Sequence, residues 1–136
     1  GLDSLPPLFG SDYFDAIGNA RMGLNLSRGD DHYLYSSDRI AQYVGNGLLV
    51  FVARSSGYGD IFSDREFVFY DGLPDLAEKL RYFLTHDDER REIARAGHAK
   101  YHAIFNERVV ARFMEEAAFG REISPDYAWP TTICGG

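Results

Sequence analysis

Two short apolar runs, each followed by a polar or glycine-bearing loop, dominate the first half of the chain. The first covers Met22 to Leu26 and the second Leu48 to Ala53, and a helix-like segment with one apolar face lies between them. Two strands joined by a crossover of this length are most easily parallel, so the pattern predicts a β-α-β unit. Open parallel sheets bind ligands outside the carboxyl ends of their strands. We therefore expect a ligand site near residues 27–29 and 54–60.

The remaining pattern predicts a third strand over residues 66–70 and helices before and after the sheet. A short helix over 12–20, capped by Ser11, precedes the first strand, and three helices begin near Pro74, near Asp87 or Asp88, and after Asn106. In the last helix the apolar spacing predicts an inward face of Val109, Val110, Phe113, Met114 and Ala117. The predicted fold class is α/β: a partial Rossmann-like parallel sheet of about three strands flanked by helices, with the C-terminal helices packed on it. The expected divisions are an entry loop and short helix (1–21), the Rossmann-like domain (22–120) and an extended tail (121–136).

Composition narrows the classes of protein that fit this pattern. A length of 136 residues favours one domain, and a hydrophobic content of 45% supports a packed core. The net charge of −7 without a basic stretch argues against nucleic acid as a partner. The sequence shows no signal peptide and no apolar run long enough for a membrane span. Its one cysteine, Cys134, excludes an internal disulfide. We therefore expect a cytoplasmic location. Because the chain starts with Gly1 and not with methionine, it is either a processed protein or, as the favoured interpretation, a piece of a longer protein.

The strand ends carry residues that suit an anionic ligand. Ser36, Ser37 or Asp38 caps the helix that runs through Val44, and helix starts favour phosphates. Arg28 and Arg39 could pair with phosphate oxygens in a forked geometry. In the second loop, Gly57 has no side chain to keep a ligand away from the backbone, and Tyr58 could stack on a sugar or a base.

Each of these features also has a purely structural interpretation. A serine cap is how many helices start, glycines after a strand are usually turn residues, and Arg39 could be an ion-pair partner of Asp38 or Asp60. Neither the G-x-G-x-x-G pattern nor a Walker pattern is present.

Two weaker constellations could hold a metal. His98 and His102 have the spacing of metal ligands on a helix, but without a third ligand exposed histidines are the better interpretation. The Asp30-Asp31-His32 run could hold a divalent cation, although a solvated loop is favoured there as well.

An ordered series of short patterns over about Leu8 to Ala118 resembles a known family. The series begins with G-L-N-L-S-R and Y-S-S-D-R-I-x-Q-Y-x-G-N-G-L-L-V-F and continues through G-Y-G-D-I-F, D-L-A-E-K-L-R-Y-F-L and D-D-E-R-R-E-I-A-R-A-G. It is similar to the C-terminal half of group 1 glycosyltransferases, closest to the subgroup related to spore-coat glycosyltransferase-like proteins. These enzymes have the GT-B architecture of two Rossmann-like domains.

The resemblance implies that residues 22–120 form the nucleotide-sugar-binding, C-terminal domain of a GT-B enzyme. Ser36 and Ser37 fall where the family meets the diphosphate, and Gly57 and Tyr58 fall in the loop that lines the nucleotide. The family's helix usually carries two acidic residues seven apart. Here those positions hold Tyr35 and Gln42, so that a ribose hydroxyl would meet an amide instead of a carboxylate.

The function expected from this resemblance is donor binding in a hexosyltransferase-like glycosyltransferase. Such an enzyme moves a sugar from a nucleoside diphosphate to a glycan, lipid or protein. The implied donor and phosphate-binding residues are Ser27, Arg28, Ser36, Ser37, Arg39, Gln42, Gly57 and Tyr58. Neither a metal nor another cofactor is required by such a site, because its donors and cations can offset the diphosphate charge.

The implied partners are the nucleoside-diphosphate sugar and an N-terminal acceptor domain of the parent protein, without which the piece alone would be close to inactive. An open sheet edge could also support a homodimer of this piece. The main alternative is a non-catalytic Rossmann-like interaction or dimerisation module, which the residues at Tyr35 and Gln42 favour. A second alternative, an epimerase or dehydrogenase on a similar sheet, lacks its glycine fingerprint here.

Overall fold

A three-stranded parallel sheet with helices on both faces confirms the predicted α/β fold. The computed structural model describes residues 6–26, 33–35, 37–129 and 131. The strands are β1 (Met22–Asn25), β2 (Leu49–Ala53) and β3 (Val68–Tyr70), in the spatial order β1-β2-β3. The strand predicted to be the most central, β2, is central, and both of its neighbours run parallel to it.

The helices follow the predicted order with small shifts at their ends. They are α1 (Ser11–Asn19), α2 (Asp38–Gly45), α3 (Gly72–Thr85), α4 (Asp87–Ile104) and α5 (Glu107–Ala118).

Some predicted element ends differ from the structure. Ser11 lies inside α1, and Gly10 takes the N-cap position. The third strand is shorter than predicted, because the amides of Glu66 and Phe67 bond to the carbonyl of Ser63 in a turn.

The core has two halves, one on each face of the sheet. Val50 and Val52 of β2 point into one cluster, and Leu49 and Phe51 point into the other. This alternation is what a strand with a period of two produces when both of its faces are covered. All four side chains are buried to at least 99%, so the apolar run of β2 lies at the centre of the fold.

Helix α4 crosses the amino-terminal edge of the sheet and contacts the segments that lead into all three strands. Arg90 donates to the carbonyl of Arg21, just before β1, at 3.1 Å. His98 contacts the carbonyl of Val44, ahead of β2, at 3.0 Å, and Gly97 lies against the backbone of Glu66, ahead of β3. The carboxyl-terminal edge, where a ligand is expected, lies at the opposite end of the strands.

The contact of Gly97 with Glu66 leaves no room for a side chain, which gives a test of the α4 packing. A Cβ atom at Gly97 would lie 2.3 Å from the Glu66 carbonyl oxygen. We expect Gly97→Ala to lower the free energy of unfolding by about 1–3 kcal/mol through overpacking, although alanine favours helices. Gly18→Ala is the matched control, because open space surrounds Gly18 in α1. Urea denaturation of the two variants measures the difference; equal stabilities would contradict this close approach.

Residues 121–129 fold back on α5, and this changes which of its faces is covered. Val110 and Met114 are exposed, so their predicted inward orientation is wrong. Glu116 is buried instead, because it accepts hydrogen bonds from the Ser124 amide at 3.1 Å and the Tyr127 hydroxyl at 2.8 Å. An amphipathic pattern records an apolar face but not the polar contacts that a following segment supplies.

The carboxylate of Glu116 makes the attachment of this segment dependent on pH. The Ser124 amide, followed by the Tyr127 hydroxyl and Arg112, holds the pKa of Glu116 below its ordinary value of 4.5. Because the pKa of Glu116 is lower in the folded protein than in the unfolded chain, the ionised carboxylate stabilises the fold at pH values above 4.5. This stabilisation is lost as the pH falls through the lowered pKa of the folded state. We therefore expect acid to release the segment and to change the fluorescence of Trp129, the only tryptophan.

Variants of the acidic residues separate this release from general acid unfolding. Trp129 stacks on Phe105 with ring centroids 5.1 Å apart, so its emission reports on attachment. Glu116→Gln should show the released emission already at neutral pH. The exposed Glu122 supplies the control, and Glu122→Gln should keep the acid transition of the wild type. A transition that Glu116→Gln leaves unchanged would show that another group controls it.

Candidate functional site

The carboxyl-terminal edge of the sheet brings together part of the predicted site. Ser27, Arg28 and Ser36 lie outside the described residues, as does the Asp30–His32 run. The remaining predicted residues, which are Ser37, Arg39, Gln42, Gly57 and Tyr58, are described. Ser37 and Arg39 lie at the start of α2, and Gly57 lies in the loop after β2.

The start of α2 is tied to the end of β1 by side chains. Ser37 is the N-cap residue in an extended conformation, and its hydroxyl donates to Oδ1 of Asn25 at 3.0 Å. Nη2 of Arg39 donates to the carbonyl of Leu26 at 2.9 Å. The Ser37 side chain therefore anchors the strand end and leaves the first amides of α2 without a side-chain cap. Such amides carry the positive end of the helix dipole.

Arg39 keeps a positive charge that the described residues do not compensate. Its guanidinium bonds to the Leu26 carbonyl and, at 3.4 Å, to the Ser37 hydroxyl, both of which are neutral. The ion pair with Asp38 or Asp60 that the sequence allowed does not form among the described residues. Arg54, a second described arginine at this edge, is paired with Asp64 at 3.4 Å and with Asp71 at 3.3 Å.

The loops after β1 and β2 are joined over Gly57. Gly57 has a φ of 78°, and a Cβ atom there would lie 2.3 Å from the ring of Tyr33. The Tyr33 hydroxyl donates to Asp60 at 2.6 Å, and the Leu34 amide donates to the Ser56 carbonyl at 2.7 Å. The hydrogen bond to the Asp60 carboxylate raises the pKa of Tyr33. Gly57 thus permits both the turn and the ring above it.

Tyr58 belongs to the core in this structure. Its side chain is only 4% exposed, and its ring packs near Phe62 and Phe67 with centroids 6.5 Å and 6.4 Å away. The single 3-10 turn Tyr58–Asp60 directs this ring inward. Stacking of Tyr58 on a sugar or a base, which the sequence suggested, does not fit this burial.

Gln42 lies one turn further along α2, and its amide oxygen is already used. Oε1 accepts a hydrogen bond from the hydroxyl of Tyr13 in α1. The amide nitrogen is the part of Gln42 that keeps its donors for a ribose hydroxyl. Helix α1 therefore borders the position at which the resemblance placed a ribose contact.

The structure places Asn25 and Tyr33 at this edge as well, and the sequence argument named neither of them. Asn25 is 3% exposed and is a polar residue at the end of an otherwise apolar strand, which is a signal that could have pointed to it. Tyr33 and Asp60 are 27 positions apart in the chain, so local sequence patterns could not predict their contact.

Within the part of the chain that the structure describes, no group of three or more histidine, cysteine or acidic residues could hold a metal ion. His98 and His102 do lie close together, with ring centroids 4.4 Å apart. Nδ1 of His98 contacts the Val44 carbonyl, and since a carbonyl only accepts, this nitrogen carries a proton.

A comparison with models of protein families identifies the family of this chain. A family model described as glycosyl transferase-like matches residues 1–116 of the 136. The chain belongs to this family. Searches of the curated proteins and of the solved structures gave no match. Membership makes this a glycosyltransferase domain, with glycosyl transfer as its general function and a sugar donor as its partner.

Across the described residues, every helix is too short or too polar to cross a membrane.

Substitution of Gly57 tests whether the two loops form one unit. We expect Gly57→Ala to displace Tyr33 and to cost about 1–2 kcal/mol of stability, because a side chain is strained at this φ and meets the ring. Gly59→Ala is the control, since nothing lies within 4 Å of a Cβ atom there. Amide spectra should show large shifts at Leu34 and Ser56 for Gly57→Ala alone. Matching spectra for the two variants would contradict the contact.

Proposed function

We propose that the carboxyl-terminal edge of this sheet binds the nucleoside-diphosphate part of a sugar donor. In this proposal the chain is the donor-binding, C-terminal domain of a GT-B glycosyltransferase, and an acceptor domain elsewhere in the parent protein completes the cleft. The uncompensated charge of Arg39 beside the start of α2 carries the proposal. Arg39 and the first turn of α2 place a fixed cation beside a helix N-terminus, which is the environment that a diphosphate favours.

Charge on the leaving group is the chemical problem that this arrangement addresses. As the bond from the sugar to the diphosphate breaks, negative charge grows on the departing oxygen atoms. Donors that are already in position stabilise such charge without reorganising. The bonds from Arg39 to Leu26 and Ser37 hold its guanidinium in place before a ligand arrives. The ring of Tyr33 covers Gly57, so the open approach to the second loop that the sequence suggested does not fit this contact.

The alternative, a module that binds a partner protein without catalysis, is supported by one observation. Gln42 stands where the family carries a carboxylate, and its amide oxygen is engaged by Tyr13. A domain that has lost donor binding would tolerate such a contact. The two functions differ in a measurable property, which is the affinity for a nucleotide.

Titration of the isotope-labelled chain with UDP, GDP and UDP-sugars tests the proposal. We expect amide shifts to cluster at residues 37–42 and 54–60. Arg39→Ala should weaken binding about tenfold or more, because a hydrogen bond to a charged group contributes about 1.5–3 kcal/mol. Arg39→Lys should recover part of this loss, since lysine keeps the charge but not the forked geometry.

Arg81→Ala supplies the control for a general loss of positive charge, because Arg81 is exposed on α3, away from this edge. It should bind as the wild type does. A chain that binds none of these nucleotides, or shifts that cluster elsewhere, would favour the interaction module.

A further inference from the structure

A positively charged groove lies at the amino-terminal edge of the sheet, at the opposite end of the strands from the proposed donor site. Its volume is about 480 Å³. One wall is α4, and the other is the turn between α2 and β2. The lining residues are Gly45, Asn46, Gly47, Arg90, Arg91, Ala94, Arg95 and His98.

The charge of this groove is opposite to that of the chain as a whole. The chain has 21 acidic and 14 basic residues, yet the lining contains three arginines, one histidine and no acidic residue. Arg91, Arg95 and His98 follow one another at intervals of four and three residues. Residues at this spacing share one face of a helix, so their side chains extend toward the same space.

A single carboxylate forms ion pairs with most of the arginines around the groove. Asp87 accepts from Arg90 at 2.8 Å and from Arg91 at 2.7 Å, and Arg21 lies 3.9 Å away. Arg90 is buried and also bonds to the Arg21 carbonyl, so its role is structural. Arg91 uses only Nε toward Asp87, which leaves both of its terminal nitrogens for another acceptor.

The side chain of Arg95 is exposed, and it makes no hydrogen bond or ion pair to any described residue. It lies between Arg91 and His98 on the same face of α4. Like charges held this close repel one another, and a bound anion would remove that repulsion.

Two carbonyl groups at the end of α2, those of Gln42 and Val44, have donors other than Arg91 and Arg95. Gln42 accepts from the amide and the side chain of Asn46, and Val44 accepts from the Gly47 amide and from His98. These two carbonyls are therefore bonded within the fold. The free donors of Arg91 and Arg95 still lack an acceptor among the described residues.

We infer that this groove binds a phosphate-type oxyanion, which Arg91 and Arg95 contact through their terminal nitrogens. Guanidinium groups match the oxygens of a phosphate in pairs, and Arg95 needs no contact to be broken for this. The inference does not depend on the proposed donor site, because the two lie at opposite edges of the sheet. A free phosphate group or the phosphate of a lipid headgroup could supply the same chemistry.

Titration of the labelled chain with inorganic phosphate, at constant ionic strength with chloride as the balancing ion, tests the site. We expect shifts at residues 45–47 and at the side-chain Nε of Arg91 and Arg95. Arg95→Gln should weaken the affinity about fivefold or more, in keeping with the loss of a charged hydrogen bond. Its fold should be intact, because Arg95 holds no other residue in place.

Two controls identify the site and separate it from the donor edge. Arg81→Gln removes an exposed arginine of α3 and should leave the affinity unchanged. Arg39→Ala, which alters the proposed donor site, should leave the shifts at residues 45–47 unchanged. An equal loss in Arg81→Gln and Arg95→Gln, or shifts spread over the whole surface, would overturn the inference.

The source of the phosphate is decided by a sedimentation assay with vesicles. The two samples are phosphatidylcholine alone and phosphatidylcholine mixed with phosphatidic acid. Binding to the acidic vesicles that Arg95→Gln reduces would assign a lipid headgroup. Binding of inorganic phosphate without binding to vesicles would assign a free oxyanion. Failure of both probes would overturn the proposal.

Discussion

Burial of the central strand on both faces is the constraint on which this fold depends. Leu49 and Phe51 pack on one side of the sheet and Val50 and Val52 on the other. Each such side chain contributes about 1.5–3 kcal/mol when it is removed from water. A strand of this kind needs neighbours at both edges and helices above and below it. That requirement accounts for the parallel pairing and for the two-sided core.

The two ends of the sheet are built differently. At the amino-terminal end, α4 closes the fold with contacts to backbone, among them Arg90 to Arg21 and Gly97 against Glu66. At the carboxyl-terminal end, side chains in loops make the connections, as in the bond from Ser37 to Asn25. Rigid packing at one end leaves the other free to carry polar groups, which is where open parallel sheets place their ligands.

The sequence was sufficient for features that repeat over a few residues and insufficient for those that join distant ones. The apolar run of β2 and the polar start of α2 are local, so both were predicted. The inward turn of Tyr58 depends on how a loop of a few residues closes, and the burial of Glu116 depends on Ser124 and Tyr127 arriving later in the chain. The binding role of every site residue remains a prediction, and Ser27, Arg28 and Ser36 also lie outside the described residues.

The spatial order of the strands has a consequence for how the chain folds. Each strand pairs with the one that precedes it in sequence, so the sheet can grow by consecutive additions with modest loop-closure cost. Helix α4 contacts the segments before all three strands and can dock fully only when each is in place. We therefore expect docking of α4 to make folding cooperative. At the far edge, Tyr58 belongs to the core against which α4 packs, whereas the exposed Gly59 and Asp60 lie outside it and can change without disturbing the scaffold.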